Sequence, residues 1–259
     1  MDREGRVDNR FIASDGIGLA VHELGGGPDG VPIVLQHGFS ATTQTEWVDC
    51  GIALRLAGLG RRVVGLDARG HGASDKPHQS RFYGEARMAA DIRELATHLG
   101  FARYDLVGYS MGAVIALLVA TDEPHLRRLA IGGVGEGVVA CGGVDRRALD
   151  NRLLAAAMRA DDLSGFPAHV RGFRTGAEAR GNDCLALAAH ADVVHATPIA
   201  LDRIAVPTLL LAGDVDPLAV RPEILAAAIP GARLVLVPGD HGSARTGPGF
   251  VAALAGFLG

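Results

Sequence analysis

A serine flanked by glycines, Gly108-Tyr109-Ser110-Met111-Gly112, stands between an apolar stretch ending in Tyr104-Asp105-Leu106-Val107 and an Ala/Leu-rich stretch running on from Ala113. An apolar run of strand length that meets a helix former across one residue demands a strand-to-helix turn. At its apex the backbone is forced toward φ > 0 and the side chain stands clear of the chain around it. The glycines two residues to either side let strand and helix approach closely. A serine so held acts as a nucleophile only where a base removes its proton, so the turn directs attention to histidines and carboxylates elsewhere. The five-residue pattern is weak alone in a chain with 36 glycines; the strand before it and the helix after it give it force.

The rest of the chain reads as strands alternating with helices. Phe11 to Leu24 gives two short strands with Asp15-Gly16 at the turn, Val31 to Leu35 a buried strand, and Arg62 to Asp67 another. A helix is expected over Glu46 to Leu56. Met88, Ile92, Leu95 and Leu99 recur at helical spacing between Glu85 and Leu99. After the Ser110 turn and its helix come strands at Leu129 to Ile131, Thr208 to Ala212 and Arg233 to Val237, and a final helix from about Gly249 to Leu258. That order implies an α/β fold: a mostly parallel, twisted sheet of about eight strands with helices on both faces, joined by right-handed crossovers. The alternation lapses between residues 136 and 202, which show helix-like pieces (Leu149, Leu153 and Ala157 on one face, then Cys184 to Ala191) and no convincing strand. The division expected is a core of residues 1–135 and 203–259 with a helical cap, residues 136–202, inserted between two of its strands.

Composition narrows the partners. With 48% hydrophobic and 21% charged residues the chain is of ordinary globular character, and a net charge of −4 offers no basic footprint for nucleic acid. Met1 to Arg6 lacks the apolar core of a signal peptide, and no apolar run reaches membrane-span length. Cys50, Cys141 and Cys184 are odd in number and far apart, which argues against a disulfide framework or a zinc site. A cytoplasmic protein acting on a small molecule, with no metal and no cofactor, is the expectation; oligomeric state is left open. A single lysine, Lys76, among 25 basic residues is read as coding bias of a GC-rich bacterial genome.

Two of the later strands end in polar clusters, Gly213-Asp214-Val215-Asp216-Pro217 and Pro238-Gly239-Asp240-His241-Gly242. In an open parallel sheet the loops at the strands' carboxyl ends gather on one edge, so Ser110, the two aspartates and His241 share it. Together with His37-Gly38-Phe39 and Asp67-Ala68-Arg69-Gly70-His71-Gly72-Ala73-Ser74, these motifs make the chain resemble α/β-hydrolase-fold serine hydrolases, the carboxylesterases and cofactor-free haloperoxidases, over nearly its whole length.

The resemblance implies roles. Ser110 is the nucleophile, His241 the general base and acid, and Asp216 the carboxylate that orients it, with Asp214 and Glu136 as alternative acids. The backbone N–H groups of Phe39 and Met111 form the oxyanion hole. Trp47, Tyr109, Met158 and Phe166 are the candidate pocket residues; Leu149, Leu153 and Phe173 of the insertion either pack or line the same space. His37 and His71 brace their loops, and Asp67, Arg69 and Ser74 form a hydrogen-bonded turn. The reaction implied is hydrolysis of a carboxylic ester of a small, largely apolar substrate through an acyl-enzyme. Its rivals are haloperoxidase or perhydrolase chemistry, carbon–carbon bond hydrolysis, and ligand binding without turnover. Tyr109 and Gly242 stand where carbon–carbon hydrolases show Asn and Trp, and Ser110 stands where dehalogenases and epoxide hydrolases carry Asp.

Overall fold

A computed structural model describes residues 9–259. Met1 to Arg6, read above for their lack of an apolar core, lie outside the described residues. Eight strands form one sheet: β1 (Asn9–Ile12), β2 (Gly18–Glu23), β3 (Ile33–Gln36), β4 (Val63–Leu66), β5 (Tyr104–Tyr109), β6 (Leu126–Gly132), β7 (Thr208–Gly213) and β8 (Arg233–Val237). Their order is β1-β2-β4-β3-β5-β6-β7-β8. β1 and β2 run antiparallel, and every pairing from β4 to β8 is parallel.

The central strands are apolar on both faces because both faces are covered. β3 and β5 are buried along their whole length, which is why they read as continuous apolar runs. Side chains alternate between two cores. Val34, Leu106, Ile131 and Leu210 point to the layer that holds Ile92 and Leu95 of α2 (Glu85–His98) and Val114 and Leu117 of α3 (Met111–Ala120). Ile33, Leu35, Val107 and Leu211 face Ile52 and Leu56 of α1 (Ile52–Ala57) and Phe250, Leu254 and Leu258 of the carboxyl-terminal helix (Pro248–Leu258).

The helix expected over Glu46 to Leu56 is broken in two. Gln44–Val48 makes a π-helical turn, and Gly51, at φ +77°, separates it from α1. That left-handed conformation is one a residue with a Cβ adopts only under strain. The helix Pro222–Ala228, between β7 and β8, was not anticipated; it follows Arg221, itself at φ +45°.

Between β6 and β7 the chain forms α4 (Glu136–Cys141), α5 (Asn151–Arg159), α6 (Ala168–Ala179) and α7 (Cys184–Ala191). The face expected on α5 is shifted. Asp150 caps the helix by accepting from the N–H groups of Arg152 and Leu153. Leu149 therefore precedes α5, Leu153 is half-buried, and the buried stripe is Leu154, Ala155, Ala157 and Met158. Among the described residues no helix is long and apolar enough to cross a membrane.

Helix α3 lies so close to the sheet that neither its Gly112 nor Gly108 of β5 has room for a Cβ. A Cβ on Gly112 would stand 2.2 Å from the Gln36 carbonyl oxygen and 2.7 Å from that of His37, and one on Gly108 2.1 Å from the Gly112 oxygen. These neighbours are backbone and cannot swing away. Gly112→Ala is therefore expected to cost about 2–3 kcal/mol or more. Urea unfolding checks it, and a wild-type midpoint would mean that α3 has room to move.

Candidate functional site

Strands β3, β5, β7 and β8 are mutually parallel, so the loops that leave their carboxyl ends share one edge. Ser110 occupies the turn from β5 into α3 at φ +55°, ψ −118°. Its N–H donates to the Gly132 carbonyl at 2.8 Å and its own carbonyl accepts from Ala113. The hydroxyl does not cap α3 and stays available for other work.

His241 follows β8, and its Nδ1 lies 2.9 Å and 3.1 Å from the two carboxylate oxygens of Asp216. The Asp216 carboxylate is fully buried, and one oxygen also accepts the Leu218 N–H at 2.8 Å. A ring that donates from Nδ1 keeps its lone pair on Nε2. Neither alternative acid reaches this histidine. Asp214 accepts the Gly239 N–H at 2.9 Å and so shapes the loop that carries His241, while Glu136 pairs with Arg147 and Arg221. Tyr109 also supports that loop: its hydroxyl donates to the His241 carbonyl at 2.6 Å, and its ring lies 5.2 Å from the imidazole. Burial pushes the Tyr109 pKa up, so the phenol remains a donor.

The loop after β3 passes beside Ser110. A Cβ on Gly38 would come within 3.3 Å of the Ser110 Cβ. Both backbone groups of Gly38 are held: its N–H donates to Glu46 Oε2 at 3.0 Å, and its carbonyl lies 2.8 Å from His37 Nδ1. His37 Nε2 accepts the Ala68 N–H at 2.9 Å, which assigns the proton to Nδ1. Burial pushes the His37 pKa below the ordinary imidazole value, favouring this neutral form. Glu46 is in turn paired with Arg245. The N–H groups of Phe39 and Met111 meet no protein acceptor among the described residues. For Met111, first residue of α3, that is the normal state of a helix amino terminus.

A cavity of about 380 Å³ opens between this edge and the insertion. Ser110, Met111, Phe39, Tyr109 and His241 line it from the core, and Val144, Leu149, Leu154 and Phe173 from the insertion. Three of the four candidate pocket residues fare differently from Tyr109. Trp47 is fully buried with Ile33 and Ile52 in the core. Met158, 1% exposed, packs among Leu149, Leu154 and Leu187 inside the insertion. Phe166 sits half-exposed on the turn leading into α6. None of them reaches the cavity. Residues that sequence reasoning missed include Glu46, Arg180, Glu85, His190 and Arg245, all of which line it. Nothing local marks them, since their partners lie far away in the sequence. Among the described residues no group of three or more His, Cys, Asp or Glu side chains is placed to hold a metal ion.

Residues 31–131 match the family model described as the alpha/beta hydrolase fold. The chain is 34% identical over 110 residues to epoxide hydrolase 4 of Mus musculus, covering 42% of this chain and 30% of that protein. It is 33% identical over 138 residues to 2-hydroxy-6-oxo-2,4-heptadienoate hydrolase of Pseudomonas putida, covering 52% and 48%. The chain thus spans less than half the length of these curated relatives. A hydrolase from Pseudomonas aeruginosa PA01 superposes over 97% of this chain and 98% of its own, at 28% identity and a TM-score of 0.73. This chain has the α/β-hydrolase fold.

Beneath the site, Asp67 ties the loops after β3 and β4 together. It accepts the N–H groups of Thr43 and Ala73 and pairs with His22 at 3.0 Å. Burial alone would raise its pKa; the pairing with His22 and the N–H bonds it accepts outweigh it and hold the carboxyl below the usual range. A depressed folded-state pKa contributes stability that is complete above the unfolded value of about 3.9 and disappears as pH falls through the folded value. Asp67→Asn is expected to lose about 3 kcal/mol at pH 7, and the gap to wild type should narrow as pH falls below about 4. Urea midpoints between pH 3 and 7 measure this; a gap independent of pH would deny the carboxylate its role.

Proposed function

We propose that this chain is a serine hydrolase that cleaves a carboxylic ester of a small, largely apolar substrate. The observation that carries the reading is the Asp216–His241 contact at 2.9 Å, with His241 lining the same cavity as a serine held at φ +55°. In this reading His241 Nε2 takes the proton from Ser110 Oγ as the oxygen attacks the ester carbonyl carbon. The carbonyl becomes an oxyanion that accepts from the N–H groups of Phe39 and Met111. The alcohol departs with the proton from His241, leaving an acyl group on Ser110. Water, deprotonated by the same histidine, attacks that acyl group, and Ser110 Oγ leaves with the proton returned by His241 as the acid is formed. Asp216 fixes the imidazole tautomer and stabilises the cation formed at each step.

Residues 136–202 act here as a cap over the catalytic edge. The apolar residues they contribute to the cavity size the acyl or alcohol group. A second reading, carbon–carbon bond hydrolysis through the same three side chains, is favoured by the 33% identity to the Pseudomonas putida enzyme. A panel of p-nitrophenyl esters of increasing acyl length, run beside a vinylogous diketone acid, separates the two. Labelling by a fluorophosphonate separates both from a protein that only binds.

Ser110→Ala is expected to lower kcat for ester hydrolysis on the order of 10⁴-fold or more, with the urea midpoint little changed. Asp216→Asn should cost about 10⁴-fold, and Asp214→Asn much less. Steady-state kinetics on protein of verified mass check these; wild-type turnover without the Ser110 hydroxyl ends the proposal.

The cavity wall makes its own prediction. Phe173→Ala should shift kcat/KM for longer acyl chains roughly 10- to 200-fold relative to short ones. Met158→Ala should instead cost about 2–5 kcal/mol of stability and leave the order of preference alone. Chain-length profiles and urea midpoints on both variants decide the matter, and an unaltered profile for Phe173→Ala would remove that residue from substrate selection.

A further inference from the structure

The turn from α6 to α7 reaches across to the loop after β3 and grips the residue that follows Phe39. Asn182 Nδ2 donates to the Ser40 carbonyl at 3.0 Å. Arg180 Nε donates to the same carbonyl at 3.1 Å and its terminal nitrogen to Ser40 Oγ at 2.9 Å. Ser40 is 3% exposed and stands at φ +56°, a left-handed conformation that a residue with a Cβ holds only when its surroundings over-determine it. The same insertion holds the side chain of Phe39. The ring of His190 on α7 lies 5.6 Å from the Phe39 ring, whose other neighbour, His71 of the core, is 5.9 Å away.

We infer that Arg180 and Asn182 are positioning residues that hold the Phe39 N–H in its oxyanion-binding place, so that the cap completes the oxyanion hole. The inference rests on the serine-hydrolase reading. The peptide plane that carries the Phe39 N–H begins at Gly38, whose N–H is fixed from the core by Glu46. The chain leaves Phe39 through Ser40, whose carbonyl and hydroxyl are fixed from the cap. With both sides pinned, the N–H is held at one angle. With the cap side released, Ser40 is free to leave its strained conformation and the N–H turns away from the position it must hold. A displacement of about 1 Å in such a group costs on the order of 10²-fold in rate. Because the oxyanion exists only in the transition state, the loss falls on kcat and not on ground-state binding.

The test uses the full chain and p-nitrophenyl acetate, whose acyl group is too short to fill the cavity. The variants are Asn182→Asp, which keeps the shape but cannot donate, Arg180→Ala, their double, and Arg180→Lys. The double variant is expected to lose about 10- to 100-fold in kcat with KM within about twofold. Inhibition by a butyl boronic acid, whose tetrahedral adduct puts an oxygen in the same place, should weaken by the same factor, while inhibition by butyrate stays unchanged. Arg180→Lys should recover part of the loss through its remaining donors. Urea midpoints confirm that each variant is folded. A double variant with wild-type kcat and boronate affinity overturns the inference, as does one in which KM and butyrate binding change and kcat does not. A wild-type protein that neither hydrolyses the esters nor labels with a fluorophosphonate fails the serine-hydrolase reading itself, a result distinct from either.

Discussion

Helix α3 presses against the carboxyl ends of β3 and β5 at a separation that leaves no room for a Cβ on Gly108 or Gly112. Much of the site's placement follows from that contact. It forces the turn between β5 and α3 to be a single residue, and it puts that residue at φ +55°. It also sets the helix amino terminus, with its unpaired N–H groups, beside the serine it has just displayed. Strain of this kind persists only when the surroundings over-determine it, and here the Ser110 N–H bonded to Gly132 and the carbonyl bonded to Ala113 provide the constraint.

Around this turn the loops are fixed by buried polar groups and not by packing alone. A buried donor or acceptor left unpaired costs about 1–3 kcal/mol, so a loop that satisfies such groups is confined to the geometry that does so. His37 serves the loops after β3 and β4 at once, donating from one nitrogen and accepting at the other. Glu46 connects the Gly38 N–H to Arg245, which lies in the chain beyond His241. Asp240 accepts from the N–H groups of Gly242 and Ser243, and Asp214 from Gly239, so the two residues flanking His241 are both anchored. The two sides of the edge are thereby tied to each other and not only to the sheet.

What the sequence made legible follows from how far apart the cause and its effect lie along the chain. β3, β5 and β7 were readable because burial on both faces leaves an unbroken apolar run. That Ser110, Asp216 and His241 share one edge was readable because a parallel sheet collects strand ends whatever lies between them. The helix over Glu46 to Leu56 was misjudged because its apolar spacing continues through Gly51, and only the φ of +77° shows the break. Trp47, Met158 and Phe166 show the limit of hydrophobicity as a signal: it does not say by what a side chain is sheltered, or, for the half-exposed Phe166, whether it is. Trp47 is sheltered by the core and Met158 by the insertion's own interior. Arg180 and Asn182 carried no signal at all, since each acts on a serine about 140 residues earlier.

On the proposed reading the two oxyanion donors are held by different parts of the molecule. Met111 is the first residue of a helix whose remaining length is packed into the core, so its N–H has little freedom to move. Phe39 lies on a loop whose near side is tied to Glu46 and whose far side is tied to the cap. The cap also supplies Leu149, Leu154 and Phe173 to the wall of the cavity. Phe173 lies on α6, whose carboxyl end carries Arg180, so a substrate that displaces that side chain pushes on the element that fixes Ser40. Recognition of the apolar part of the substrate and stabilisation of charge at its carbonyl are mechanically joined. A substrate of the wrong size is then penalised in the chemical step as well as in binding, which makes selection steeper than the apolar cavity alone provides.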